Sequence, residues 1–195
     1  MFELIYPVDP APLIPGLTAD SPHERRPEGE IFPVVEESGL VVGRAGRAYC
    51  HGGSHLLHPV VHLHIIDRRQ RVYLQRRALT KDIQPGKWDT AVGGHVGYGE
   101  SLVEALFRES MEELRLTRFN PVYIGTYPYD SVREYELVNI FAAVGSFEPH
   151  PDLEEVTEGR YWTLGEIDGA MGKNVLTPNF ELEFSRIREK LLALL

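Results

Sequence analysis

Three carboxylates stand at a spacing that invites a cation. Glu109, Glu112 and Glu113 fall at i, i+3 and i+4 of residues 101–114, which read as a helix because Val103, Leu106, Phe107 and Leu114 can share its buried side. The three acids then cluster about one turn apart on the other side, where like charges weaken a helix. A hard divalent cation relieves that repulsion, and carboxylate oxygens suit Mg²⁺ or Mn²⁺. Glu100, just ahead of the helix, can add an oxygen, and Arg108 can orient one glutamate through a bidentate pair. Gly93, Gly94, Gly97 and Gly99 let the backbone bend closely around a metal and a phosphate. An acidic helix face is also an ordinary solvated surface, so the decision rests on what surrounds it.

The elements that must position these residues follow from apolar patterning. IFPVV (31–35) and LVVG (40–43) flank Glu36-Glu37-Ser38-Gly39, which predicts a hairpin. Residues 60–66 and 71–75 form another pair around Asp67-Arg68-Arg69-Gln70. Residues 88–92 are a short strand running into Gly93-Gly94, and 120–129, 134–144 and 160–164 are further strands. The tail is a helix from Pro178, with Thr177 as N-cap, proline at the first helical position, and Phe184, Ile187, Leu191 and Leu194 as an apolar stripe. A mixed sheet with few helices predicts an α/β or α+β fold with layers on both faces.

Residues 1–29 read differently. They hold six of the 14 prolines and end in a charged run, which predicts an extended arm able to dock through Phe2, Leu4, Ile5 and Tyr6. Residues 30–195 are expected to form one domain ending in the amphipathic helix. Hydrophobic residues make up 43% of the 195, enough for an ordinary core. No apolar run is long enough for a bilayer, and MFELIYPVDP lacks the pattern of a secretory leader, so a cytoplasmic location is expected. A net charge of −9 argues against nucleic acid as a partner. One cysteine, Cys50, excludes an internal disulfide and a Cys-rich zinc site.

The surrounding spacing is Gly94-x5-Glu100-x7-Arg108-Glu109-Ser110-Met111-Glu112-Glu113-Leu114-Arg115-Leu116. It resembles the Nudix box, G-x5-E-x7-R-E-U-x-E-E-x-G-U, where U is a bulky apolar residue. Two positions depart. Ser110 replaces an apolar residue, and Arg115 replaces the glycine that ends the helix in a left-handed conformation, at a cost of about 1 kcal/mol if that conformation is kept. The resemblance implies an α/β/α Nudix sandwich with a mixed sheet between helices, and Mg²⁺- or Mn²⁺-dependent hydrolysis of a diphosphate linked to another group. It implies Glu112 and Glu113 as main ligands, Glu109 as ligand or general base, Glu100 as an auxiliary ligand and Arg108 as the orienting arginine.

The resemblance narrows over residues 30–168. Glu30-Ile-Phe-Pro, Leu57-His58-Pro, Leu74-Gln-Arg-Arg-Ala-Leu-Thr-Lys81, Pro85-Gly-Lys-Trp-Asp-Thr and Gly93-Gly-His95 are similar to the branch holding type I isopentenyl-diphosphate isomerase and its hydrolase-like relatives. That branch implies a second metal set at His51, His58, His95, Glu134 and Glu136, suited to Mn²⁺, Zn²⁺ or Mg²⁺. It also implies Arg47, Arg77 and Lys81 as phosphate contacts. Strand alternation puts Arg76 and Arg77 on opposite faces, so one of them should reach the site. His62 and His64 have no counterpart and read as sheet packing or surface, and Trp162 reads as core in preference to a base-stacking residue.

The isomerases carry a catalytic cysteine immediately before the Gly-His pair, where this chain has Gly93, and a basic residue where it keeps Glu109. Cys50, beside His51, matches no catalytic position. Both departures point to a hydrolase of a nucleoside diphosphate derivative or another small organic diphosphate. The alternatives are an isopentenyl-diphosphate isomerase working without that cysteine and a non-catalytic nucleotide-sensing Nudix module. The expected partner is a small-molecule diphosphate substrate, without a membrane; the arm and tail helix are candidate homodimer contacts.

Overall fold

The computed structural model describes residues 29–195 apart from Asp82. The predicted arm, with its docking residues, lies outside the described residues. The chain has an α+β fold with a mixed multi-stranded sheet and few helices. Its elements are β1 (Ile31–Val35), β2 (Val41–Gly46), α1 (Arg47–Tyr49), β3 (His58–Ile66), β4 (Arg71–Arg77), β5 (Trp88–Asp89), β6 (Val92–His95), α2 (Leu102–Leu114), β7 (Val122–Asp130), β8 (Tyr135–Val144), β9 (Val156–Thr163), α3 (Leu164–Ala170) and α4 (Pro178–Leu192). The larger sheet runs β5-β4-β3-β8-β7, with β6 beside β3 and β9 beside β4.

The Cα framework divides into two compact units. The first takes the described residues up to Val61 together with Gly94–Leu106 and Thr126–Asn139. Here β1 and β2 form the expected hairpin, with Gly39 at φ 84° in its turn. Phe32, Val34, Ala45 and Cys50 pack together beneath it. Cys50 is fully buried. After β2 the chain coils through α1 into a π-helical turn, Cys50–Ser54, which apolar periodicity does not announce.

The second unit takes His62–Gly93, Phe107–Gly125 and Ile140–Leu195. The Asp67–Gln70 turn closes as predicted. Asp67 Oδ1 accepts from the amides of Arg69 and Arg71, its Oδ2 takes the Arg71 guanidinium, and Gln70 sits at φ 60°. β4 pairs with β9 along seven positions from Arg71↔Thr163 to Arg77↔Val156. β9 thus begins earlier than predicted. Thr163 then caps α3: its hydroxyl accepts from the Glu166 amide while Glu166 reaches back to the Thr163 amide.

Helix α4 starts where predicted. Thr177 Oγ1 accepts from the Phe180 amide and donates to Asp89 Oδ1 at 2.8 Å, and Pro178 takes the first helical position. Phe180, Phe184, Ile187 and Leu191 are buried, whereas Leu194 falls beyond the helix end. Thr177 is 2% exposed and serves two partners. Thr177→Ala is therefore expected to cost about 1–2 kcal/mol, read from the urea midpoint at unchanged slope.

Candidate functional site

Helix α2 does not present its three carboxylates alike. Its buried side carries Leu102, Ala105, Leu106, Ser110, Glu113 and Leu114, while Val103 turns out to solvent. The helix face is thus rotated from the one the apolar residues predict, because Ser110 and Glu113 fall inside it. Arg108 Nη1 donates to Glu109 Oε1 at 2.7 Å and to Glu112 Oε2 at 3.2 Å, so one guanidinium bridges two acids. Among the described residues, Glu109, Glu112 and Glu113 form no ready three-ligand cluster. Arg115 keeps the left-handed conformation at φ 55°, and the Leu116 amide returns to the Ser110 carbonyl. The missing glycine does not change the helix stop.

Glu113 is nearly excluded from water. Gln75 Nε2 donates to its Oε2 at 3.1 Å, and the Gly93 amide reaches the same oxygen at 3.4 Å, which leaves Oε1 outside both contacts. Burial pushes its pKa up to about 8, and the charge on Glu109 adds to the rise, while Lys81 and Gln75 oppose it. A carboxyl that ionises reluctantly in a dry site gains most from a cation.

The expected phosphate contacts already hold acids. Arg77 donates from Nε to the Ile83 carbonyl at 3.0 Å and faces Asp89 at 3.5 Å. Arg76, on the opposite face, bonds the Gly86 carbonyl and lies 3.7 Å from Glu158. Lys81 pairs with Glu155, and Arg47 with Glu30 at 2.6 Å. Trp162 is buried edge-on to Trp88, with the Arg160 guanidinium 4.0 Å from its ring centre.

In the first unit, His51, His58 and His95 bring a nitrogen each within 4.8 Å of one another, as do His95, Glu134 and Glu136 their ligand atoms. His51 and His95 approach at 3.0 Å between Nε2 atoms, and Glu134 lies 3.3 Å from His51 Nδ1. His58 Nδ1 donates to the Leu56 carbonyl, which fixes the tautomer and puts the lone pair on Nε2. That buried Nε2 has no hydrogen-bond partner. The Phe32 ring stacks on His95 at 4.5 Å and on His58 at 5.5 Å and holds both imidazoles nearly parallel. Desolvation, then the charges of Arg47 and His58, pull His51 down to about 4; desolvation, with Arg47 assisting, also lowers His58. Neutral imidazoles with a converging, unsatisfied nitrogen fit a borderline cation such as Zn²⁺ or Mn²⁺. In the same unit Glu100 Oε2 accepts from the Gly97 amide at 2.9 Å.

The histidines left aside in the sequence are the missed feature. His62 and His64, neither surface nor plain packing, both bind Glu183 of α4, which is fully buried. Their partner lies 121 and 119 residues away, so no local pattern announces it.

Two pH effects follow. The unfolded chain takes up a proton at His51 near pH 6.5 and the folded one only near 4, so its contribution to stability is present above 6.5 and lost as pH falls toward 4. His51→Gln should flatten that part of the melting-temperature curve of the metal-free protein. Glu113 works in the opposite sense. Ionising near 4.5 unfolded and near 8 folded, it destabilises the metal-free protein as pH rises through that window. Mg²⁺ should therefore raise the melting temperature more at pH 9 than at pH 6, and Glu113→Gln should remove the difference.

Comparison with known proteins agrees with this architecture. The NUDIX domain model matches residues 56–180. An isopentenyl-diphosphate Delta-isomerase of Streptomyces griseus is 30% identical, covering 80% of this chain and 82% of its own. An uncharacterized Nudix hydrolase of Streptomyces coelicolor is 33% identical over 82% of this chain and 88% of its own. A Deinococcus radiodurans crystal structure superposes with TM-score 0.70 at 19% identity, covering 80% of this chain and 98% of that one. With the box spacing intact on α2, the chain belongs to the NUDIX domain family.

Proposed function

We propose that the protein is a Mg²⁺- or Mn²⁺-dependent hydrolase of a diphosphate linkage in a nucleoside diphosphate derivative or another small organic diphosphate. The observation that carries this reading is the buried Glu113, next to an Arg108-bridged Glu109 and Glu112 on one helix. A cation there would neutralise diphosphate oxygens and acidify a bound water. Glu113 and Glu112 would hold it. Glu109, only 15% exposed and fixed by Arg108, is placed to share in ligation or to accept a proton from the attacking water. Gln75 restrains Glu113 so that Oε1 is the oxygen left for ligation. Arg77 and Lys81 of the second unit would bind phosphate by exchanging their present carboxylate partners for substrate oxygens, and Arg47 would do the same within the first unit.

His51, His58, His95, Glu134 and Glu136 would hold a second divalent cation, and this group supports the other reading. Relatives named isopentenyl-diphosphate Delta-isomerase match most of the chain. Gly93 and the complete acidic box favour hydrolysis over isomerisation.

The test is product analysis by mass spectrometry with Mg²⁺ or Mn²⁺. The substrates are dinucleotides, nucleoside diphosphate sugars, nucleoside di- and triphosphates, and isopentenyl diphosphate in D₂O. Cleavage of one P–O–P bond is expected, with Glu112→Gln and Glu113→Gln each lowering kcat at least 100-fold while the protein stays folded. Full activity in the double variant would sink the reading. Deuterated dimethylallyl diphosphate without cleavage would replace it by the isomerase.

A further inference from the structure

The histidine group of the first unit includes a residue that ligand chemistry does not require. Phe32 of β1 has no donor atom to offer and is 1% exposed, yet its ring meets all three histidines. It lies 4.5 Å from the His95 ring at an interplanar angle of 3°, and 5.5 Å from His58 at 13°. His51 is reached at 6.0 Å and 40°. Among themselves the imidazoles stand 4.9 Å (His51 and His95), 5.5 Å (His58 and His95) and 5.7 Å (His51 and His58) apart. One phenyl ring thus packs against three candidate ligands from three separate stretches of sequence.

Main-chain bonds fix where that ring stands. Phe32 pairs with Ala45 across the hairpin. On one side of it the Tyr98 amide donates to the Ile31 carbonyl at 2.8 Å, and on the other the Val35 amide donates to the Leu57 carbonyl at 2.9 Å. The Val96 amide donates to the Pro59 carbonyl at 3.1 Å, joining the residues that follow His95 and His58. These bonds set the backbone of β1, of the start of β3 and of the end of β6, but they do not set side-chain rotation. An imidazole lone pair lies in the plane of its ring, and the torsion that turns that plane is a broad one. His58 is restrained by its own Nδ1 bond to the Leu56 carbonyl at 2.8 Å. A flat face stacked at 3° restrains His95, whereas an aliphatic side chain fills space without selecting a ring plane.

We propose that Phe32 is a positioning residue of this group, whose ring selects the imidazole planes of His95 and His58 in which their nitrogens converge with His51 on one divalent cation. The role rests on the reading that these histidines hold such a cation. Cation binding reinforces it, because a bound metal draws electron density from an imidazole and the negative face of a phenyl ring favours an electron-poor partner. A leucine at position 32 would supply the burial and neither the plane nor the attraction. Residues that hold a metal's ligands in orientation govern affinity without touching the ion.

Site-resolved metal binding separates this role from that of an ordinary core residue. The full chain, carrying ¹⁵N-histidine, is titrated with Zn²⁺, and the ring nitrogens report binding at the histidines while remaining blind to the carboxylates of α2. The resonances of His51, His58 and His95 are expected to move in the native protein. Phe32→Leu should weaken that binding about tenfold to a hundredfold, with His58 still protonated at Nδ1 as its bond to Leu56 requires. Phe32→Met, whose flexible chain can fill the same space, repeats the measurement if the leucine variant does not fold. Val34→Ala is the control, since Val34 belongs to the same buried cluster but carries no ring. It should lower the melting temperature and leave Zn²⁺ affinity at the native value. Native affinity in the Phe32 variant, or an equal loss in Val34→Ala, would overturn the role of Phe32 and leave the cation reading standing. Zn²⁺ that moves none of the three histidines in the native protein would end both.

Discussion

The second unit depends on a carboxylate placed where water hardly reaches it. Burying an ionised carboxylate costs several kcal/mol unless partners replace its hydration. At Glu113 the replacement is partial: one amide side chain from β4 and one long backbone contact from β6. The remaining deficit appears as the rise in its pKa, and it is the feature that makes a cation welcome. Arg108 is spent on the two more accessible acids, Glu109 and Glu112. A guanidinium at Glu113 would satisfy the charge and remove the reason to bind metal. The helix is therefore strained electrostatically at one residue and relaxed at its neighbours.

The histidine group of the first unit solves the converse problem. Three imidazoles packed against Phe32 would repel if protonated, and desolvation keeps His51 and His58 neutral. Neutral histidine is an acceptor wherever its second nitrogen donates, as His58 does to Leu56. An acceptor left buried without a donor is costly, so His58 Nε2 implies a partner that carries positive charge or a proton. Glu134 and Glu136 add oxygens beside His51 and His95. Five residues from four separate stretches of sequence converge because the helical turn, the start of β3, the end of β6 and the start of β8 fall in the first unit.

Local chemistry was legible wherever a short motif carried it. The Thr177-Pro178 start of α4, the Gly39 turn and the Asp67–Gln70 turn all appear as read, because each is settled by hydrogen bonds spanning a few residues. The helix α3 was missed, although Thr163-Leu-Gly-Glu166 is a capping box, because a short apolar count overlooks it. The inner face of α2 was not. Hydrophobicity assigns Val103 to the inside and Glu113 to the outside, and the helix does the reverse since Ser110 is small enough to be packed against and Glu113 has Gln75 waiting on β4. Which polar residue a fold buries depends on partners far away in sequence.

His62, His64 and Glu183 illustrate the same rule. A helix docked on a sheet ordinarily buries only apolar side chains, and α4 supplies them with Phe180, Phe184, Ile187 and Leu191. Replacing a buried ion pair by hydrophobic residues is often neutral or stabilising. Packing alone therefore gives no reason for a buried polar trio in the middle of this seam. Glu183 meets both imidazoles, so the trio fixes the register of α4 on β3, where apolar packing alone would tolerate sliding.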